Sequence, residues 1–374
     1  MLEVISDNPC KLQFKMKSAI ESEINFTWTD IKVKISEEWG AKKILAFIDS
    51  NVYEASSNWA ELEINHSNLI LVPTNLNEAS KHIESLIACL ERIENIGMSR
   101  RGDILLAIGG GVLMDLVSMA ANLYRRGIPL VKVPTTLLGF VDASVGIKTG
   151  INFLGQRNRL GSYYLNYDVV YDTSLLATIG NDLVREGLGE IFKIATIKSQ
   201  VLFELLEDSK DSLLDPIFYT MEKGTEIISL SVQLMLEELH HNPTETNLKR
   251  CVDFGHSFSP GVEMYSLQSD SVEPIPHGLA VGADCIITSI IAKNRGLLDQ
   301  NDLERIFSLA KVIDFLPKNA VYENNELMWS SMVDMTRHRA GDQNLPIPTT
   351  IGEFSFIQDL TFDELSVAAA EFRG

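Results

Sequence analysis

Cysteine is scarce in this chain: Cys10, Cys89, Cys251 and Cys285 are the only four among 374 residues, far apart and with no CxxC pair. That spacing argues against a disulfide framework and against a cysteine zinc knuckle, and it fits a reducing cytoplasm. Long apolar runs are missing too. The most apolar windows, 103–118 and 278–291, are broken by Asp115 and Asp284, and both fall short of the roughly 20 residues a membrane helix needs. Glu3, Asp7 and Lys11 interrupt the opening stretch where an export signal needs an apolar core, so a soluble protein without such a signal is expected. Basic residues are in deficit, 32 against 51 acidic ones, leaving a net charge of -19. A surface of that sign repels a phosphodiester backbone, so neither nucleic acid nor membrane is an expected partner, while a local basic pocket for a small anion stays compatible.

What is present is ordinary for a globular protein: 45% apolar and 22% charged residues, enough for a substantial core and, at this length, for two domains. The first half alternates short apolar runs with helical patterns, the mark of parallel strands joined by crossover helices. Strands are predicted at 42–51, 68–74, 103–111 and 129–136, and helices at 77–97, stopped by Gly97, and at 112–127. From about residue 175 long helical patterns dominate, as in EIFKIATIKSQVLFELLE and HGLAVGADCIITSIIAKNRG. The boundary is placed near 174–182. The stretch 342–358, with Pro346 and Pro348, reads as an extended loop.

Chemistry concentrates at a few positions. Gly109, Gly110 and Gly111 lie between a strand and a helix, where missing side chains and free N–H groups can cradle a pyrophosphate; an ordinary structural turn explains the glycines equally well. Asp49 and Asn51 end an earlier strand, where an acidic group can accept hydrogen bonds from a ribose or simply form a polar turn. Glu190 and Lys193, three apart on a predicted helix, share one face. A surface ion pair is the plain alternative, but the flanking Leu188, Ile191, Phe192 and Ile194 bury this helix, and buried charges need a partner or a metal. His256 and His277 also sit among apolar neighbours. Two histidines and a glutamate form a known catalytic zinc ligand set with an open position, although core histidines are commonly satisfied by the backbone. At a helix start after Pro276, the dipole is expected to keep His277 neutral for metal binding. The His240–His241 pair is read as solvent-facing.

The run IGGGVLMDLVSMAANLYRRGIPLVKVPTTLLGFVDASVGIKTGINF, followed by RNRLG, GLGEIFK, DFGHSFSP and PHG, resembles the sugar phosphate cyclase superfamily, whose best-known member is 3-dehydroquinate synthase. The resemblance covers about residues 42 to 350 with the motifs in order. It implies an α/β fold with a Rossmann-like NAD-binding domain over 1–178 and a mostly helical metal- and substrate-binding domain over 179–374. It implies NAD contacts at Asp49, Asn51, Glu78, Lys81, Gly110, Gly111, Val112, Asp115, Thr135, Thr136, Leu138, Lys148, Arg157 and Thr178. The metal ligands, for zinc or cobalt, fall on Glu190, His256 and His277. Substrate and phosphate contacts fall on Arg126, Asp142, Lys148, Asn158, Lys193, Lys249, Asp253 and Arg339, with catalytic roles for Lys193, Asp142, Lys148, Asp253 and His338. A homodimer acting on a small sugar phosphate is the implied assembly.

Departures from the dehydroquinate pattern point to one branch. Asp253 replaces an asparagine, Pro260 replaces a histidine that would move protons, Leu279 replaces a glutamate after His277, and Arg157 replaces a lysine. HSFSP, NRLG and the late His338, Arg339, Gly341, Leu345, Pro346 pattern look like the branch that cyclises sedoheptulose 7-phosphate, and Asp253 with His338 leans toward members that form 2-epi-5-epi-valiolone. The implied reaction oxidises a carbinol transiently, expels phosphate, reduces the carbon again and closes the ring by an intramolecular aldol step. Related products (2-epi-valiolone, desmethyl-4-deoxygadusol or dehydroquinate) are the alternatives within the family. A metal-dependent polyol dehydrogenase or an idle binding protein are the alternatives outside it.

Overall fold

The computed structural model describes residues 24–374 except 57, 155, 166, 270, 317 and 318, together with two short paired strands, β1 (Leu2–Val4) and β2 (Phe14–Met16). Cys10 lies outside the described residues.

Six strands form one parallel sheet. They are β3 (Phe26–Trp28), β4 (Ile44–Asp49), β5 (Leu69–Thr74), β6 (Ile104–Gly109), β7 (Leu130–Pro134) and β10 (Tyr167–Tyr171), in the order β3-β10-β7-β6-β4-β5. Every residue of β6 and β7 is buried, which is why their sequences run apolar without alternation: helices cover both faces of a parallel sheet. The four predicted strands are β4, β5, β6 and β7. The connecting helices are α1 (Ile31–Val33), α2 (Ser50–Glu54), α3 (Asn58–Asn65), α4 (Ile83–Ile96) and α5 (Gly111–Leu123). Gly97 ends α4 in the left-handed conformation at φ 67°, as its position predicted.

The chain order makes β4 the pivot of the sheet. From β4 it moves outward to β5 and then returns to the opposite side as β6. Such a reversal opens a crevice at the carboxyl ends of the two strands, where nucleotides bind in open α/β sheets. Asp49 ends one of these strands and Gly109 the other.

A two-stranded hairpin that sequence reading did not anticipate, β8 (Lys148–Phe153) and β9 (Gln156–Tyr163), projects from this half and packs on α5. After β10, a tight turn over Thr173–Thr178 leads into helices: α6 (Asn181–Lys198), α7 (Gln200–Asp208), α8 (Glu222–His241), α9 (Ser259–Gln268), α10 (His277–Asn294), α11 (Gln300–Ile313), α12 (Asn325–His338) and α13 (Phe362–Arg373). The pattern read as one helix across EIFKIATIKSQVLFELLE is broken at Ser199, whose hydroxyl accepts from the Leu202 N–H to start α7. His240 and His241 end α8 and are exposed.

The expected loop at 342–358 is instead an antiparallel hairpin, β11 (Leu345–Thr350) with β12 (Glu353–Ile357). Its prolines obscured it. Pro346 and Pro348 are two apart, so both turn the same way, and a strand paired on one side only has free positions for residues lacking an N–H.

Candidate active site

Two glycines set the site's geometry. A Cβ on Gly189 of α6 would stand 2.1 Å from the Gly278 carbonyl oxygen of α10, and one on Gly278 would stand 1.8 Å from the Glu186 oxygen. The two helices therefore touch backbone to backbone, and the residues beside the contact, Glu190 and His277, are brought face to face. Glu190 Oε1 lies 3.2 Å from His277 Nε2 and 3.5 Å from His256 Nε2. His256 comes from the turn before α9, where Gly255 takes φ 78° in a space too tight for a side chain, with Cys285 Sγ 2.7 Å from a notional Cβ. The buried carboxylate of Asp284, on α10, accepts from the N–H groups of Ser257, Phe258 and Ser259 at 2.8, 2.6 and 2.9 Å, which fixes this turn against the helix.

The ligand atoms of Glu190, His256 and His277 all lie within 4.8 Å of one another. A tetrahedral ion bound at about 2.0–2.1 Å spaces its ligands by about 3.4 Å, so these donors fit a divalent metal with little adjustment. Glu190 is buried, whereas the histidines keep 27% and 18% of their side-chain surface open, which leaves one face of the trio accessible. Protonation suits the role at two of the positions. Burial and then the Lys193 charge push His256 down to about 4, leaving its ring neutral. Burial opposes ionisation of Glu190, but Lys193 and the two imidazoles hold it well below the usual carboxylate range.

His277 departs from expectation. It opens α10 after Pro276, as predicted, but the dipole does not decide its charge. Burial lowers its pKa, yet the charge of Glu263 and hydrogen bonds to Glu190 and Glu263 raise it to about 10. The same negative surroundings attract a divalent cation, which competes with the proton for Nε2. Glu263, on α9, lies 2.9 Å from His277 Nδ1 and was not foreseen.

Lys193 is buried and ion-paired with Glu190. Burial and the nearby Glu190 charge raise the pKa of Asp142, which also feels Lys193, His277 and Lys148. Asp142 sits in the turn Gly139–Ala143, whose Ala143 carbonyl, with that of Gly146, is held by the buried ammonium of Lys132 at 3.1 and 2.8 Å. Lys148, 57% exposed, pairs with Glu245, which also pairs with Arg250. Asp253 is enclosed by Arg250 at 2.6 Å and Arg339 at 2.8 Å.

The two members of one basic pair point in different directions. Lys249 is exposed and lies over the Phe356 ring at 4.8 Å, while its neighbour Arg250 turns inward to Asp253. His338 is exposed at the end of α12 and makes no hydrogen bond or ion pair with the cluster among the described residues, whereas the adjacent Arg339 is buried. Arg126 follows the far end of α5, exposed, and a 13-residue helix carries it about 20 Å from the glycine turn.

On the nucleotide side, Gly110 caps α5 without any side-chain hydrogen bond, so the N–H groups of Gly111 and Val112 are free to face an anion. Thr135 and Thr136 follow β7 at the same sheet edge, and Thr136 Oγ1 accepts from the Gly139 N–H at 3.1 Å, beside Leu138. Asp49 accepts from the Asn51 N–H at 2.9 Å. Lys81, buried, bridges Asp115 at 2.5 Å and Asn158 at 2.7 Å. Glu78 receives Asn152 at 2.9 Å and stands 3.2 Å from Arg157. The Thr178 hydroxyl donates to the Leu175 carbonyl at 2.8 Å. This edge fits a dinucleotide pyrophosphate: uncapped N–H donors, small residues, and an acidic group at the neighbouring strand end.

Comparison with known proteins places the fold and the family. The family model for the N-terminal part of 3-dehydroquinate synthase matches residues 71–186, and that for the C-terminal part matches 187–335. A 2-epi-5-epi-valiolone synthase of Streptomyces albus is 41% identical over 297 residues, covering 78% of this chain and 71% of the relative. One from an Actinomyces species is 38% identical, covering 87% and 86%. The solved structure of ValA, the 2-epi-5-epi-valiolone synthase of Streptomyces hygroscopicus subsp. jinggangensis 5008 with NAD+ and Zn2+ bound, superposes with a TM-score of 0.88 at 33% identity, covering 96% of this chain and 99% of that one. The chain belongs to the 3-dehydroquinate synthase family of sugar phosphate cyclases.

Proposed function

We propose that this protein is a sugar phosphate cyclase of the 2-epi-5-epi-valiolone synthase type, a carbon–oxygen lyase that converts sedoheptulose 7-phosphate into a C7 cyclitol and inorganic phosphate. The observation that carries the reading is the Glu190, His256 and His277 trio, with Lys193 beside it, in a chain whose nucleotide edge is also intact. The names of the relatives support the product class. The N-terminal part, to about residue 178, holds NAD, and the remainder holds the metal and most of the substrate.

When bound, NAD and the divalent ion supply a reversible hydride acceptor and a Lewis acid. The chain's own residues do the rest. Glu190, His256 and His277 hold the ion, and the free N–H groups at the start of α5 hold the pyrophosphate. Lys193 places a positive charge where negative charge develops on the substrate oxygen, and its burial makes that charge effective. Lys148 and Asn158, from the β8–β9 hairpin, bind the departing phosphate. Asp142 orients hydroxyl groups. Asp253, fixed by Arg250 and Arg339, faces the substrate with its orientation set in advance. Pro260 sits in the first turn of α9 and offers no proton acceptor, so the phosphate dianion of the substrate itself takes the proton in the elimination. A cytoplasmic homodimer is part of the same reading; no helix among the described residues is long and apolar enough to cross a membrane.

The test is incubation of the protein with sedoheptulose 7-phosphate, NAD and zinc. Stoichiometric phosphate release without accumulation of absorbance at 340 nm, and a cyclitol identified by NMR, is the expected result. Steady NADH formation without phosphate release would identify a polyol dehydrogenase instead.

A further inference from the structure

We infer that Glu263 is a positioning residue for the metal ligand His277, and that Arg157, from the opposite half of the chain, holds Glu263 in place. The inference rests on the metal-site reading above and extends it to two residues that do not touch the ion.

His277 has two ring nitrogens with different tasks. Nε2 faces Glu190 and is the atom available to a metal; Nδ1 lies 2.9 Å from Glu263 Oε1. An ionised carboxylate can only accept, so Glu263 requires the proton to be on Nδ1 and leaves the Nε2 lone pair for the cation. A carboxylate behind a metal-binding histidine also fixes the ring plane and raises the basicity of the ligand. Glu263 is buried with one oxygen toward His277 and the other toward Arg157.

The other oxygen of Glu263 is engaged by the Arg157 guanidinium. Arg157 stands on β9, 106 residues earlier in the chain, and its Nε lies 3.2 Å from Glu78 Oε1. One planar guanidinium thus hydrogen-bonds the carboxylate behind the metal trio and lies within ion-pair distance of a second at the nucleotide edge. A lysine offers a single point charge and cannot meet both with a fixed geometry. Arginine at 157 therefore serves Glu263 and does not need to touch the nucleotide. The next residue, Asn158, is held by Lys81 at 2.7 Å, which in turn pairs with Asp115 near the start of α5. The orientation of His277 is tied in this way to the hairpin that carries Lys148 and Asn158.

The experiment measures zinc dissociation constants by chelator competition on the purified full-length chain, for wild type and for Glu263→Ala, Glu263→Gln, Arg157→Ala and the Glu263→Ala/Arg157→Ala double variant. Glu263→Ala should weaken zinc binding about 10- to 100-fold. Glu263→Gln, which is isosteric and still accepts from Nδ1, should fall between it and wild type, and it keeps the test open if the alanine variant does not fold. Arg157→Ala should weaken binding less, and the double variant no more than Glu263→Ala alone, because both act through one contact. Visible absorption of the cobalt-loaded protein provides a readout that a purely structural role would not move: its bands should shift in Glu263→Gln. Wild-type zinc affinity in both Glu263 variants, or unchanged cobalt bands in Glu263→Gln, would overturn the inference. Glu190→Ala is the control. If it loses zinc while the Glu263 variants keep it, only the positioning role falls; if Glu190→Ala also keeps zinc at wild-type affinity, the metal site itself is wrong.

Discussion

Gly189 and Gly278 meet across the α6–α10 crossing so closely that neither position has room for a methyl group. Glu190 and His277 follow and precede these glycines directly, so the separation of two metal ligands is set by backbone contact and not by side-chain packing. Gly189→Ala must push the helices apart. Overpacking of this kind costs on the order of 1–3 kcal/mol or more, and because the displaced residues are ligands, zinc content should fall together with the melting temperature. Metal analysis alongside thermal unfolding checks both; a variant that loses stability but binds a full equivalent of zinc would separate the crossing from the site.

Lys193 is predicted to serve the chemistry more than the metal. Lys193→Met removes the charge beside Glu190 while keeping much of the stem's volume. Turnover should drop about 100- to 1,000-fold, the scale seen when one stabilising donor is removed from a reacting oxygen, while zinc stays bound through Glu190, His256 and His277. Phosphate release assays and metal analysis on the same sample decide it.

Arg339→Ala leaves the buried Asp253 carboxylate with Arg250 alone. Breaking one side of a buried charged pair costs about 3–5 kcal/mol, part of which Arg250 offsets. The expected outcome is a raised KM for sedoheptulose 7-phosphate with a smaller change in zinc affinity. Steady-state kinetics and zinc titration measure the split, and unchanged kinetics would remove Asp253 from the substrate pocket.

Asp284 gives the pH dependence of folding a definite sign. Burial raises its pKa from an ordinary 3.8 to about 6, despite the three backbone N–H groups and Thr288 that favour its charged form. A carboxyl raised in the folded state contributes stability that is fully present below about 3.8 and is lost as the pH climbs through about 6. Relative to Asp284→Asn, the wild-type protein should therefore gain stability as pH falls from 7 to 4. Denaturant unfolding of both proteins at several pH values measures the difference; a constant gap across that range would contradict it.

The parts of this protein that were legible in its sequence share a physical reason. Strands β4, β6 and β7 are buried on both faces, so their residues run apolar and short, and Gly97 marks a helix end because a left-handed residue fits there. The metal trio was legible because ionisable side chains in apolar surroundings need a partner, and two histidines with a glutamate restrict what that partner is. Glu263, Arg157 as its anchor, and Asp284 were not legible as a set. Their pairings arise where α9, α10 and β9 meet in space, and no local spacing records that meeting. The inward turn of Arg250 beside the exposed Lys249 was not legible, because adjacent basic residues on an irregular turn do not reveal which one points inward. The β11–β12 hairpin was hidden by two prolines that sit harmlessly on its free edge.

The account depends most on one carboxylate and two imidazoles sharing an ion. X-ray absorption at the zinc edge of the purified, zinc-loaded protein tests this directly. It should show two imidazole nitrogens and carboxylate oxygen at about 2.0–2.2 Å, with the imidazole signal reduced by half in His277→Ala. A shell containing sulfur, or a spectrum that His277→Ala leaves unchanged, would contradict it.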